Sequence, residues 1–314
     1  MACGSQYRWI TPATAKPAVA GDPGAARGIM TSGGKEIFRA AQVARMRDGA
    51  RIYYEDRGQG QTILLVHGWT CSSRLWQKNV AELAKEFQVV TLDLRGHGNS
   101  SKILSGHTIA QYARDVREII ELLQLEDVTL AGWSLGGPVV LSYYDQYGND
   151  SRLKALGLID TAPYPFSPAP WNSHSLKNHN HDALNAVFRT YAADPLQFAT
   201  DFTRKMFKGG TASDEDVRWI SAELTKTPPW IAMAIYSDFV MSDHARVLPT
   251  LRLPVAVFAA DSDIYQEGIK MGRSIAAQIA RASFYPFEDG GHLLFYEQPG
   301  KFNRALADFI REAK

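Results

Sequence analysis

From about residue 42 onward the chain alternates between short apolar runs and longer amphipathic stretches. Runs near 62–67, 88–93, 127–133, 153–159, 254–260 and 282–287 are mostly continuous in their apolar character, the pattern of strands buried on both faces. Residues 108–125 instead repeat Ile109, Tyr112, Ala113, Val116, Ile119, Ile120 and Leu123 at helical spacing. Upstream, 42–48 and 51–57 flank Gly49 and predict an antiparallel hairpin. Strands alternating with helices place the chain in the α/β class, with a mostly parallel, eight-stranded sheet covered by helices on both faces. Right-handed crossovers would then gather the C-terminal ends of the strands along one edge, where residues just past different strands can meet in a crevice.

Two segments break the alternation. Residues 1–40 intersperse Pro12, Pro17 and Pro23 with Gly21, Gly24, Gly28, Gly33 and Gly34 and show no amphipathic period, so a flexible N-terminal arm is expected. Residues 163–248 form a long, aromatic-bearing, largely helical insertion, expected to be a cap that splits the core into 41–162 and 249–314. Its Tyr164, Phe166, Trp171, Trp230 and Phe239 are candidates to roof an apolar substrate pocket, with Trp133 as a wall from below. His174, His179 and His181 fall in the polar stretch 172–182. They lack a helical pair spacing and a completing carboxylate cluster, so a solvated loop is expected and no metal site.

Reactive chemistry is concentrated after the strand at 127–133. Gly132-Trp133-Ser134-Leu135-Gly136 has the form G-x-S-x-G, which places one serine where a buried strand turns sharply into a helix. The glycines remove side chains where strand and helix approach, and Pro138 is tolerated in the first helical turn. A serine hydroxyl needs a base to become a nucleophile. His292 ends the glycine-containing loop Glu288-Asp289-Gly290-Gly291 after the last strand and can reach back over the sheet as that base. The strand at 254–260 is followed by Asp261 and Asp263. Asp263 is preferred as the acid that orients His292 because it lies further beyond the strand, whereas Asp261 is placed to bond local backbone or cap the turn. Asp160, at the end of 153–159, is a third and lesser candidate. Backbone N–H groups of Leu135 and of Trp69, after the glycine turn His67-Gly68, are expected to form an oxyanion site. His67 itself is read as structural.

In this order, His67-Gly68-Trp69, Asp93-Leu94-Arg95-Gly96-His97-Gly98-Asn99-Ser100, Gly132-Trp133-Ser134-Leu135-Gly136-Gly137, Asp263 and Gly291-His292 resemble the α/β-hydrolase superfamily over about residues 42–314. Within it the tryptophans near Gly68 and Ser134 resemble the cofactor-free haloperoxidase-like esterases, and the elbow resembles that of a carboxylesterase acting on pimeloyl methyl esters of a carrier protein. The resemblance implies an α/β-hydrolase fold with the cap before the acid-bearing strand, a serine esterase activity through an acyl-enzyme, and a structural role for the segment around Asp93, Arg95 and His97. The loop Asp263-Ile264-Tyr265-Gln266 lacks the proline common there, Ala260 replaces a frequent glycine, and Thr70 stands where several perhydrolase-type members carry proline. Perhydrolysis and hydrolytic C–C cleavage use the same triad, and a ligand-binding receptor on the same frame is a third alternative.

Composition narrows the partner. Among 314 residues, 34 Lys plus Arg balance 33 Asp plus Glu for a net charge of +1, which leaves no footprint for nucleic acid or an anionic membrane. A small, weakly charged ester fits better. Only two cysteines occur, Cys3 and Cys71, too few for a disulfide framework or a cysteine metal site. Neither a signal h-region nor a stretch able to span a bilayer is recognisable, so a cytoplasmic, cofactor-free enzyme is expected.

Overall fold

A computed structural model describes residues 38–148 and 150–313. Within these residues eight strands form one sheet: β1 (Phe38–Arg45), β2 (Arg51–Arg57), β3 (Thr62–Val66), β4 (Gln88–Leu92), β5 (Val128–Trp133), β6 (Leu153–Ile159), β7 (Val255–Ala260) and β8 (Ala282–Phe287). Their spatial order is β1-β2-β4-β3-β5-β6-β7-β8. The hairpin at one edge is antiparallel, and from β4 through β8 every pairing is parallel. The buried runs read from the sequence match these strands to within a residue at each end. β1 begins earlier than expected: its backbone pairs with β2 from Phe38, inside the segment assigned to the arm. The rest of that arm lies outside the described residues.

Among the described residues there are ten α-helices: α1 (Gln77–Leu83), α2 (Ile109–Leu122), α3 (Gly136–Tyr147), α4 (His181–Ala193), α5 (Pro195–Met206), α6 (Asp214–Leu224), α7 (Pro229–Met241), α8 (Gly268–Ala276), α9 (Leu294–Glu297) and α10 (Pro299–Glu312). The helical period at 108–125 resolves into α2, whose start is set by Thr108: its side chain accepts the Gln111 N–H at 3.1 Å and so satisfies a donor of the open first turn. Four helices, α4–α7, lie between β6 and β7. None of the described helices is long and apolar enough to cross a membrane.

Alternation along β3 shows why the sheet needs helices on both sides. Leu64 and Val66 enter one hydrophobic cluster with α2 and α3, while Ile63 and Leu65 enter a second with α1 and α10. All four side chains are fully buried, and burial of each contributes about 1.5–3 kcal/mol. The strands behind the crevice are in register: Val66 lies opposite Gly132, Gly132 opposite Leu158, and Ile159 opposite Phe258. The ends of β3, β5, β6 and β7 are therefore level, and whatever follows each can be neighbours.

The segment after β4 fixes the loops beneath the crevice. Asp93 accepts the Ser73 N–H at 2.7 Å and the Asn99 N–H at 2.6 Å. Arg95 makes a two-pronged contact with Asp115 on α2, Nε to Oδ2 at 2.7 Å and Nη2 to Oδ1 at 2.6 Å, both residues being about 1% exposed. Burial pushes the Asp115 carboxyl up, and the guanidinium pulls it back toward its charged form. Removing one partner of such a buried pair leaves the other charge uncompensated. Asp115→Ala should therefore cost about 3–5 kcal/mol, read as a lower midpoint of denaturant unfolding, and a loss below about 1 kcal/mol would show that Asp48, which also contacts Arg95, suffices.

Candidate functional site

Past three adjacent strands the chain passes through a non-glycine residue with left-handed backbone: Thr70, four residues beyond β3 (φ 57°), Ser134 directly after β5 (φ 54°) and Asp160 directly after β6 (φ 40°). This conformation is uncommon outside glycine and costs on the order of 1–3 kcal/mol each. Its occurrence at three neighbouring strand ends marks the place where the fold holds side chains against their local preference.

The serine turn is clamped from three sides. Ser134 N–H donates to Ile159 O at 3.0 Å, its carbonyl accepts the Thr161 hydroxyl at 2.6 Å, and the Gly137 N–H reaches the same carbonyl at 2.9 Å. Glycine at 132 is a steric requirement: a Cβ there would stand 2.1 Å from Gly136 O. A Cβ on Gly68 would lie 3.0 Å from Ser134 Cβ, so the loop after β3 presses directly on the elbow. Ser134 is partly exposed, and Leu135 is wholly buried at the start of α3, where N–H groups lack partners within the helix.

His292 is 1% exposed, and its Nδ1 lies 2.6 Å from Asp160 Oδ2. Asp160 Oδ1 accepts the Ala260 N–H at 3.0 Å, and Asp160 N–H donates to Phe258 O at 2.8 Å, so the carboxylate is seated on both β6 and β7. Burial pushes the Asp160 carboxyl up, while the hydrogen bond and charge of His292 and the Ala260 N–H hold it toward the anion. With Nδ1 directed at a carboxylate, Nε2 is the ring nitrogen left to act as a base. The expectation of Asp263 in this role is corrected: Asp263 is exposed, and the turn in which Ser262 N–H donates to Tyr265 O at 2.9 Å brings Tyr265, not Asp263, inward. Tyr265 packs edge-on against His292, ring centres 5.2 Å apart. Asp261 does cap locally, accepting the Ile269 N–H at 3.0 Å near the start of α8. The signal for Asp160 in the sequence was only its place at a strand end, since nothing local distinguishes a carboxylate that will face a histidine 132 positions away.

The histidine loop is tied down by groups the sequence did not flag. Glu297 accepts the Gly291 N–H at 2.8 Å and the Lys208 N–H at 2.9 Å, and Leu293 N–H donates to Met206 O at 3.0 Å. A Cβ on Gly291 would lie 2.4 Å from Lys208 N, so glycine is needed for close approach of two backbones.

Trp133 is not a pocket wall. It is 1% exposed, its indole N–H donates to His292 O at 2.8 Å, and its ring packs on His292 (5.1 Å) and Phe295 (5.2 Å), bracing the histidine from behind. Trp69 faces the helical insertion instead. Its indole N–H donates to Ala232 O at 2.9 Å, and its ring meets Tyr236 at 4.5 Å, Tyr191 at 5.6 Å, and Phe198 and Phe202 each at 5.8 Å. Of the expected roof, Phe239 joins this group through Tyr236, whereas Tyr164 packs on His179, and Phe166 on both His179 and His181. Trp171 is packed against the core. Trp230 is 41% exposed and packs edge-on against His107, away from the Trp69 cluster.

The remaining histidines separate by burial. His67 accepts the Leu94 N–H at Nε2 (2.9 Å) and donates from Nδ1 to Gly68 O (2.7 Å), joining the ends of β3 and β4 as a structural strut. His97 is buried, with Nδ1 2.9 Å from Arg95 O. His174 departs from the solvated loop expected for it: it is 8% exposed, accepts the Leu176 N–H at 3.0 Å and packs against Tyr265, and burial lowers its pKa to about 3. His179 and His181 are exposed. Among the described residues no group of three or more His, Cys, Asp or Glu side chains is arranged to hold a metal ion.

A hydroxyl on a strained turn, an imidazole fixed at Nδ1 by a buried carboxylate, and backbone donors on two adjoining loops can together carry out nucleophilic substitution at an acyl centre. The proton between His292 and Asp160 gives a direct check. Asp160→Asn should remove the strongly downfield imidazole proton resonance of His292, and Asp263→Asn should leave it in place; the reverse pattern would reassign the carboxylate.

Residues 61–299 match the family model described as the alpha/beta hydrolase fold. A non-heme haloperoxidase of Rhodococcus erythropolis is 37% identical over 226 residues, 69% of this chain and 80% of that protein. A bifunctional esterase/perhydrolase of Acinetobacter calcoaceticus is 28% identical over 278 residues, 84% of this chain and 98% of that protein. Among solved structures, a bromoperoxidase from Bacillus anthracis superposes with a TM-score of 0.79 at 25% identity, covering 87% of this chain and all of that one.

Proposed function

The chain belongs to the alpha/beta hydrolase fold family, and from that premise we propose that it is a serine esterase cleaving small, largely apolar carboxylic esters through an acyl-enzyme. The observation that carries this is the 2.6 Å contact between His292 Nδ1 and Asp160 Oδ2 beside a serine held at φ 54°. In the proposed cycle His292 Nε2 takes the Ser134 proton as Oγ attacks the ester carbonyl. The N–H groups of Trp69 and Leu135 receive the oxyanion, and His292 returns the proton to the departing alcohol. Water, activated by the same imidazole, then releases the acid.

Substrate choice falls to the helical insertion, which we assign as a cap. Tyr191, Phe198, Phe202 and Tyr236 around Trp69 supply an apolar surface next to the oxyanion loop. The same loop is anchored to the cap by Ser72, whose hydroxyl donates to Glu223 Oε2 at 2.8 Å, and by Thr227, whose hydroxyl donates to Thr70 O at 3.3 Å. Binding in the cap and alignment of the oxyanion donors are thereby mechanically linked.

Ser134→Ala should reduce hydrolysis of short-chain acyl esters by about 10⁴-fold or more and abolish labelling by a fluorophosphonate. Asp160→Asn should lower kcat by about 10⁴-fold by mis-setting the imidazole tautomer, and Asp263→Asn should stay within a few-fold of the native protein. A Ser134→Ala protein as active as the native one would overturn the esterase assignment.

Peroxide as acceptor is a second reading, favoured by the relative named as a bifunctional esterase/perhydrolase and by the haloperoxidase relatives. The same acyl-enzyme would then pass its acyl group to hydrogen peroxide. Peracid formed from an ester and peroxide, and lost in Ser134→Ala, would support it; consumption of the ester with no peracid at high peroxide would exclude it.

A further inference from the structure

The loop after β3 is held at three points by one stretch of the helices between β6 and β7. Residues 223–232 run from the end of α6 into α7. Within them Glu223 accepts the Ser72 hydroxyl at 2.8 Å, Thr227 donates to Thr70 O at 3.3 Å, and Ala232 O accepts the Trp69 indole N–H at 2.9 Å. Trp69, Thr70 and Ser72 are each at most 5% exposed, so water does not compete freely for these bonds.

Thr70 is the residue that needs holding. The Cys71 N–H closes a four-residue turn on Gly68 O at 3.2 Å, and Thr70 occupies its third position with φ 57°. That position suits glycine, and a β-branched residue takes it only where the surroundings enforce it. Enforcement comes from the residues that follow. Ser73 N–H donates to Asp93 Oδ1 at 2.7 Å, which ties the chain to the core, and Ser72 is tied to Glu223.

Of the three contacts from residues 223–232, that of Glu223 alone involves a charge. Its side chain is 4% exposed, and its second oxygen accepts from Arg74 Nη1 at 3.1 Å and Lys226 Nζ at 2.7 Å. Burial raises its carboxyl, but Lys226, Ser72 and Arg74 outweigh burial and keep it ionised. A hydroxyl bonded to a carboxylate is held roughly twice as strongly as one bonded to a neutral acceptor.

Resting on the esterase reading above, we propose that Glu223 is a positioning residue for acyl transfer: through Ser72 it holds the turn at Trp69 so that the Trp69 backbone N–H meets the oxyanion. The carboxylate exchanges no proton with the substrate. An oxyanion donor acts over a narrow range of distance, so a turn released at Ser72 loses transition-state stabilisation before it loses its fold. Ground-state binding is affected less, because the Trp69 ring keeps its contacts with Ala232, Tyr191 and Tyr236, none of which passes through Glu223.

The test compares the native protein with Ser72→Ala, Glu223→Gln and the double variant. A carboxamide has one acceptor oxygen and cannot serve both Ser72 and the two cations. Each is assayed for kcat and KM on one short-chain ester, and for inhibition by a trifluoromethyl ketone of the same acyl length, which adds to the serine as a charged tetrahedral adduct. Displacing a donor costs less than deleting it, so kcat should fall about 10- to 100-fold in each single variant. KM should stay within about 3-fold, and ketone affinity should weaken by the same factor as kcat/KM. The double variant should be no slower than the slower single one, since both remove one contact. A kcat within about 2-fold of native in Ser72→Ala, a loss of kcat with ketone affinity unchanged, or losses that multiply in the double variant overturns the role. Should Glu223→Gln fail to fold, Ser72→Ala decides by kcat and ketone affinity, because it leaves Glu223 paired with Arg74 and Lys226. Fluorophosphonate labelling of Ser134 in the native protein separates the two levels: no labelling removes the acyl-transfer reading and this role with it, whereas labelling with native kcat in Ser72→Ala removes this role alone.

Discussion

The carboxylate of Asp160 binds in two directions at once, to the backbone of β7 through Ala260 N–H and to the imidazole of His292. Much of the site follows from that double attachment. It fixes the histidine ring against the sheet, it sets which ring nitrogen is free, and it requires the chain after β6 to turn through a left-handed residue immediately at the strand end. A charged group can remain buried there because every favourable interaction it makes is with a donor of fixed geometry. The sheet supplies that geometry: β6 and β7 are neighbours in register, so the first residue past one reaches the last amide of the other.

Strain and bracing are distributed in a consistent way around this anchor. The left-handed residues Thr70, Ser134 and Asp160 are each held by interactions from a neighbouring strand or from the helices between β6 and β7. The histidine loop is held by Trp133 from the nucleophile strand, and by Glu297, which bonds both Gly291 and Lys208. Such over-determination is what allows unfavourable backbone conformations to persist. It also leaves Ser134, His292 and Asp160 with little freedom to rearrange.

The helices between β6 and β7 are joined to the site through chemistry as well as through packing. Glu223, buried and bonded by Ser72, Arg74 and Lys226, sits behind the loop that carries Trp69, and Ala232 receives the Trp69 indole. Burial pushes the Glu223 carboxyl up, yet these donors hold it below its ordinary value. An aromatic cluster around Trp69 and a buried carboxylate bonded to Ser72 thus meet on the same short loop.

The strand positions, the elbow and the final histidine were legible in the sequence because each depends on local signals. Buried strands require continuous apolar runs, the elbow requires glycines at fixed spacing, and a loop that bends back requires Gly290 and Gly291. The partner of His292 was not legible in the same way. Asp160, Asp261 and Asp263 all follow strands, and choosing among them depends on which strand lies level with which and on how one four-residue turn orients its side chains. That turn exposes Asp263 and buries Tyr265. The aromatic lining was equally beyond local reach: Trp133, inside the motif, braces the histidine, while Tyr191, Phe198, Phe202 and Tyr236, at helical positions like any packed residue, collect around Trp69. Short-range periodicity and steric need therefore placed the sheet, the strand ends that meet, and Ser134 and His292 at two of those ends. The carboxylate beside His292, the bracing of its loop and the aromatic cluster around Trp69 came from the fold, because contacts between residues more than a hundred positions apart are set by strand order and register rather than by any pattern along the chain.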